Sequence, residues 1–127
     1  MKLTRKEFGE VVVSALKGLP KSLKNRMENV DVVIENRASP DLLSEMDLRS
    51  PFDLLGLYQG IPLNQRGFYY GNVLPDKITL FQDPIESTCK TKEEIEEKVR
   101  EVVIHEVGHY FGLDEERLEE LEGGGEE

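Results

Sequence analysis

Both histidines of the chain stand four residues apart in the stretch VVIHEVGHYFGL, inside the longest helical pattern of the sequence. A glutamate, Glu106, directly follows the first of them. This arrangement narrows the fold more than any other feature. A helix of that length must be packed along one side, and Glu106 falls on the side to be packed. Thr91 and Glu94 form a capping box ahead of the pattern. Gly112 is its natural stop, because glycine readily takes the left-handed conformation that ends many helices. The expectation is a helix over residues 92–111. At about 100° per residue, Ile95, Val99, Val102, Val103 and Tyr110 fall on one apolar arc, which assigns Tyr110 to the core. Glu106 lies within this arc and the histidines along its edge. A carboxylate on a core-facing stripe is costly unless it is paired or faces a cleft. A plain surface helix would carry Glu106 on the opposite side.

The five residues HEVGH match the pattern H-E-x-x-H. Residues four apart lie one turn above each other, so His105 and His109 can grip a single ion from one helix face. Imidazole nitrogens suit Zn²⁺. Glu106 is turned about 100° away from His105, so it can reach a water on the metal without being a ligand. A zinc ion there acidifies its water and polarises a carbonyl. Glu106 would accept the proton and pass it to a leaving amine. The chemistry this pattern points to is metal-assisted hydrolysis, most naturally of a peptide bond.

Such zinc sites use three protein ligands and keep one position open. The chain has no third histidine, and Cys89 lies upstream in an unrelated segment, so a carboxylate must serve. Gly112 follows His109 by three residues and Glu115 follows Gly112 by three, giving H-E-x-x-H-x-x-G-x-x-E. That is metzincin-type spacing with glutamate in place of the third histidine, although no methionine follows to form a Met-turn. The expected metal ligands are therefore His105, His109 and Glu115. Asp114, a good N-cap for a last short helix, and Glu119 stand as alternatives for the third position.

The rest of the chain sets the frame for this helix. Thr4 and Glu7 form a capping box, and Phe8, Val11, Val12, Ala15 and Leu16 recur at helical spacing behind it. Pro20 opens a short second helix through Arg26. VDVVIEN, LLGLYQGIPL and KITLFQ read as strands, ASPDLLSEMDLRSP as loop with a helical turn, and NQRGFYYGNVLPD as loop. A short helix follows Pro84. Helices, then strands, then helices indicate an α+β domain with a small mixed sheet packed on the long motif-bearing helix. One domain over residues 1–122 fits a chain of 127 residues, with residues 123–127 as a disordered acidic tail.

Composition removes several classes of function. A formal charge of −10 argues against non-specific binding to nucleic acid or to anionic membranes. Nothing approaches the roughly 20 apolar residues of a membrane span. Glu7 and Glu10 interrupt what would be the apolar region of a signal peptide. The lone Cys89 can form no intrachain disulfide, which fits a reducing, cytoplasmic setting, and it reads as an inert, half-buried thiol. A monomer is the default for a small charged domain.

Several of these segments, in this order, resemble a small bacterial metallopeptidase family with a minimal zincin-like fold. The resemblance rests on Leu19 and Pro20, VDVVIEN, LLGLYQGIPL, YGNVLPDKITLFQDPI and VVIHEVGHYFGLDEERLEEL, and so covers nearly the whole chain. It implies a small mixed sheet with the motif helix beneath it, and a zinc metallopeptidase acting on a peptide or protein substrate. His105, Glu106 and His109 match the family motif directly. The family usually has aspartate where this chain has Glu115, and the chain departs from the pattern there. In zincins the strand bordering the cleft takes substrate backbone as an added strand, and LLGLYQG and KITLFQ are both candidates. Tyr69 and Tyr70 are candidates for lining the cleft. The alternative to a peptidase is a catalytically silent metal-binding or protein-interaction module on the same scaffold.

Overall fold

The computed structural model describes residues 1–60 and 75–112. Helix α1 (Arg5–Lys17) starts at Thr4, whose side chain accepts the Glu7 N–H while Glu7 returns the bond to the Thr4 N–H. Its buried residues are Phe8, Val11, Val12 and Ala15, the helical spacing read from the sequence. Helix α2 (Lys21–Arg26) follows, with Pro20 one position outside it as the N-cap.

Strand β1 (Val30–Glu35) leads into the segment read as loop with a helical turn. That segment holds a helix, α3 (Pro40–Glu45), with Ser39 as its cap and Pro40 in its first turn. The turn out of α3 puts Asp47 at φ 57°, a left-handed position that aspartate tolerates better than most residues. A 3₁₀ turn over Pro51–Asp53 then leads to β2 (Gly56–Gln59).

Strand β3 (Asp76–Phe81) occupies the centre of a three-stranded sheet, in the order β1–β3–β2. It runs parallel to β1, with Val32 opposite Ile78, and antiparallel to β2, with Tyr58 opposite Ile78. Its side chains are buried on both faces, as a central strand requires. Ile78 and Leu80 join the main core, while Phe81 packs with Ala38, Leu43 and Leu54 in a smaller cluster.

Helix α4 (Gln82–Ser87) begins two residues before Pro84, not after it as the sequence suggested. Proline is tolerated there because the N–H groups of a first helical turn have no partner within the helix. The buried polar side chains of α4 are satisfied. Glu86 accepts the Leu3 N–H at 3.0 Å and the Gln82 amide at 2.9 Å, and Arg5 donates to Gln82 at 2.8 Å. These bonds tie the start of α1 to α4.

The last described helix, α5 (Lys92–Tyr110), packs along α1 and under the sheet. Thr91 accepts the Glu94 N–H as expected, but the reciprocal half of the capping box is displaced. The Glu94 carboxylate reaches one residue further back, to the Lys90 N–H at 2.7 Å. The core between α1, α5 and β3 includes Phe8, Ala15, Leu23, Ile78, Leu80, Ile85, Ile95, Val99, Val103 and Val107. No helix among the described residues is long and apolar enough to cross a membrane.

Candidate active site and metal centre

The far half of α5 carries the motif. Ile95, Val99, Val103 and Val107 lie at 0 % exposure along the packed face, with Ile104 and Gly108 buried beside them. The buried stripe is thus shifted from the expected arc. Val102 is half-buried, and Tyr110 is 48 % exposed, not part of the core. Tyr110 instead stacks on Tyr58 of β2, with ring centroids 4.0 Å apart. Phe111 stands edge-on to both rings. The helix ends as expected: Gly112, at φ +74°, donates its N–H to the His109 carbonyl.

Glu106 is half-buried, on the side of α5 that faces β2. Its Oε1 accepts the backbone N–H of Tyr58 at 3.1 Å. Burial pushes its carboxyl above the usual carboxylate range, opposed by the Tyr58 N–H and by the fields of His109 and His105. The cleft that the sequence demanded for a carboxylate on this stripe is present. It has a volume of about 290 Å³. Asp53, Leu54, Leu55 and Gly56 line one side, and Lys98, Glu101, Val102, His105 and Glu106 the other.

Strand β2 owes its close approach to α5 to two glycines. A Cβ on Gly56 would lie 2.6 Å from Val102 Cγ1, and a Cβ on Gly60 would collide with the Tyr110 hydroxyl. Between them Tyr58 is fixed three ways: its N–H to Glu106, its hydroxyl to buried Asp76 at 2.7 Å, and its ring on Tyr110. The sequence reading took Gly60 only as the stop of a strand, gave Gly56 no role, and missed Tyr58 and Asp76 as supports of the site. The available signal was their spacing, with one glycine on each side of Leu57-Tyr58-Gln59.

The structure brings His105, Glu106 and His109 together on one stretch of α5, with His105 half-buried and His109 exposed. The two imidazole rings lie 6.0 Å apart, centroid to centroid, at 75° to each other. Two ring nitrogens one turn apart fit two positions of a tetrahedral metal shell. Among the described residues no group of three histidine, cysteine, aspartate or glutamate side chains could hold an ion. Glu115, Asp114 and Glu119 lie outside the described residues, as do Tyr69 and Tyr70. Cys89 is buried in the core at 5 % exposure, not half-buried as read from the sequence. KITLFQ is excluded as a docking edge because β3 is paired on both sides; among the described residues β2 is paired on one side only, and its Gly56 lines the cleft.

None of the curated proteins compared with the chain matches it. A family model does: that of the zincin-like metallopeptidases, over residues 27–125. The match takes in everything from the end of α2 through the motif helix.

Proposed function

The chain belongs to the zincin-like metallopeptidase family, and from that premise we propose that it hydrolyses peptide bonds, with Glu106 as general base and a zinc ion on His105, His109 and Glu115. The observation that carries the reading is Glu106 itself. A half-buried carboxylate on the packed side of a helix, held by one backbone N–H and opening on a cleft, is a group whose charge burial makes costly to the fold. The imidazole pair beside it supplies two nitrogen donors. The third donor is assigned to Glu115 from its spacing, with Asp114 and Glu119 as the other carboxylates in range along the chain.

A zinc ion bound there supplies Lewis acidity toward a peptide carbonyl and toward water. The chain's own residues do the rest. Glu106 takes the proton of the attacking water, and burial makes it a stronger base than an exposed carboxylate. It then delivers that proton to the departing amine. The Tyr58 N–H fixes one carboxylate oxygen, which leaves the other to be aimed at the reacting water. The substrate backbone lies along the outer edge of β2 as an added strand. Phe81 donates to the Leu55 carbonyl, so in an antiparallel pair the Gly56 backbone groups point away from β3 and toward such a strand.

The test is a zinc-loaded sample assayed against a broad peptide library, beside Glu106→Gln. Hydrolysis that chelators abolish, and that falls about 100-fold or more in Glu106→Gln with metal content unchanged, is the expected result. A wild-type protein that holds one zinc per chain and cleaves nothing removes the peptidase reading and leaves a silent metal-binding module.

A further inference from the structure

The groove beside Glu106 has a shape and a charge pattern that hydrolysis alone does not use. It runs back along α5 from His105 past Glu101 to Lys98, and the stretch from His105 to Glu101 is about 6 Å at 1.5 Å per residue, the reach of one long extended side chain. Its floor is apolar. Leu55 and Val102 are half-buried there, and Gly56 adds no side chain where Val102 comes close. Its rim is charged, by Asp53 on one side and by Glu101 and Lys98 on the other. Lys98 Nζ lies 3.4 Å from Glu101 Oε1, so the lysine among the described residues of the rim already has a partner. Asp53 accepts the Ser50 N–H at 3.3 Å through Oδ2. Among the described residues the second oxygen of each carboxylate accepts no hydrogen bond, and the rim keeps one negative charge in excess.

We propose that this groove receives a lysine or arginine side chain of the substrate peptide. The aliphatic stem lies over Leu55 and Val102, and the cationic end sits between Glu101 and Asp53. The inference rests on the reading above, in that Glu106 marks the reacting end of the groove. An acidic side chain would meet two carboxylates and a lysine already paired. An apolar one would fill the floor but leave the rim charges as they are. The net charge of −10 adds a long-range field of the same sign.

Binding tests this apart from turnover. The protein is zinc-loaded Glu106→Gln, and the probes are fluorescein-labelled hexapeptides carrying one lysine, arginine, norleucine or glutamate at each position in turn, followed by anisotropy. At one position lysine and arginine peptides are expected to bind about fivefold tighter than norleucine peptides, the size of one partly exposed ion pair. Glu101→Gln in the same background shrinks that preference, Glu101→Lys turns it toward the glutamate peptides, and 1 M salt weakens it. Equal binding, no binding, a preference for glutamate with Glu101 intact, or an unchanged preference in Glu101→Lys each overturns the proposal. Turnover of the same peptides by the wild type decides the other reading independently. A basic preference without cleavage removes the peptidase and leaves the groove, and cleavage without preference does the reverse.

Discussion

The two sides of α5 are built by different rules. Toward α1 the helix is sealed by Ile95, Val99, Val103 and Val107, none of them exposed. Toward β2 it offers Val102 against a glycine, Glu106 against a backbone N–H, and Tyr110 stacked on Tyr58. The first side gains free energy from apolar area, roughly 25 cal/mol per Å² removed from water. The second side holds a carboxylate that burial disfavours in its charged form. The sealed side anchors the helix firmly enough for the other side to carry a group the fold would be more stable without.

If that division is right, substitutions on the two sides fail in different ways. The largest effect is expected from Glu106→Gln, a loss of about 100- to 10,000-fold in peptide turnover, measured as kcat/KM. The same change should raise the stability of the chelator-treated protein at neutral pH. The sign follows from the carboxyl being raised in the folded chain. Folding is penalised once the unfolded chain has ionised near pH 4.5. The gain from Glu106→Gln should therefore shrink as pH falls toward that value, and urea unfolding at several pH values would show it. A glutamine variant less stable than wild type at pH 7 would contradict the account of the site side.

On the sealed side, Ile95→Ala should cost about 2–5 kcal/mol in urea unfolding, because a fully buried side chain leaves a cavity. At the seam between the two sides, Gly56→Ala should cost about 1–3 kcal/mol, since the added methyl meets Val102. Pairing it with Val102→Ala should recover most of that loss. An equal loss in the double variant would mean that the contact with Val102 is not what the glycine serves. The smallest effect belongs to the far end of α1. Hydrogen bonds from Thr4 hold the Glu7 carboxyl below its usual range. Its contribution is present above about pH 4.5 and disappears as pH falls through the folded value, so Glu7→Gln should flatten the acid limb of the stability curve slightly.

Much of this frame was legible because it is local. Capping at Thr4, the run of β-branched residues in β1 and the stop at Gly112 are properties of a few neighbouring residues, and they produced the elements read from them. What escaped depends on contacts distant in the chain. Tyr110 sits at the right angle for the core, but β2 meets it before the core does, so its ring stacks at the surface. The Glu94 carboxylate takes the Lys90 N–H and not that of Thr91, which the spacing of the box alone does not distinguish. The centre of the sheet could have been read from ITLF, a run of apolar and β-branched residues with no charged side chain, which an edge strand would not need. For the candidate site, a carboxylate out of place on an apolar stripe was visible in the sequence. The partner that makes it tolerable, the Tyr58 N–H, lies 48 residues away and was not.

The stacked rings of Tyr58 and Tyr110 also make the molecule its own reporter. The chain has four tyrosines and no tryptophan, so its aromatic band near 280 nm comes from tyrosine alone. Two of those chromophores are in face contact, one of them on the residue whose N–H holds Glu106. Anything that shifts β2 against α5 changes the electronic coupling of that pair. Circular dichroism near 280 nm, the ordinary tyrosine band, then follows the cleft directly, with no label attached.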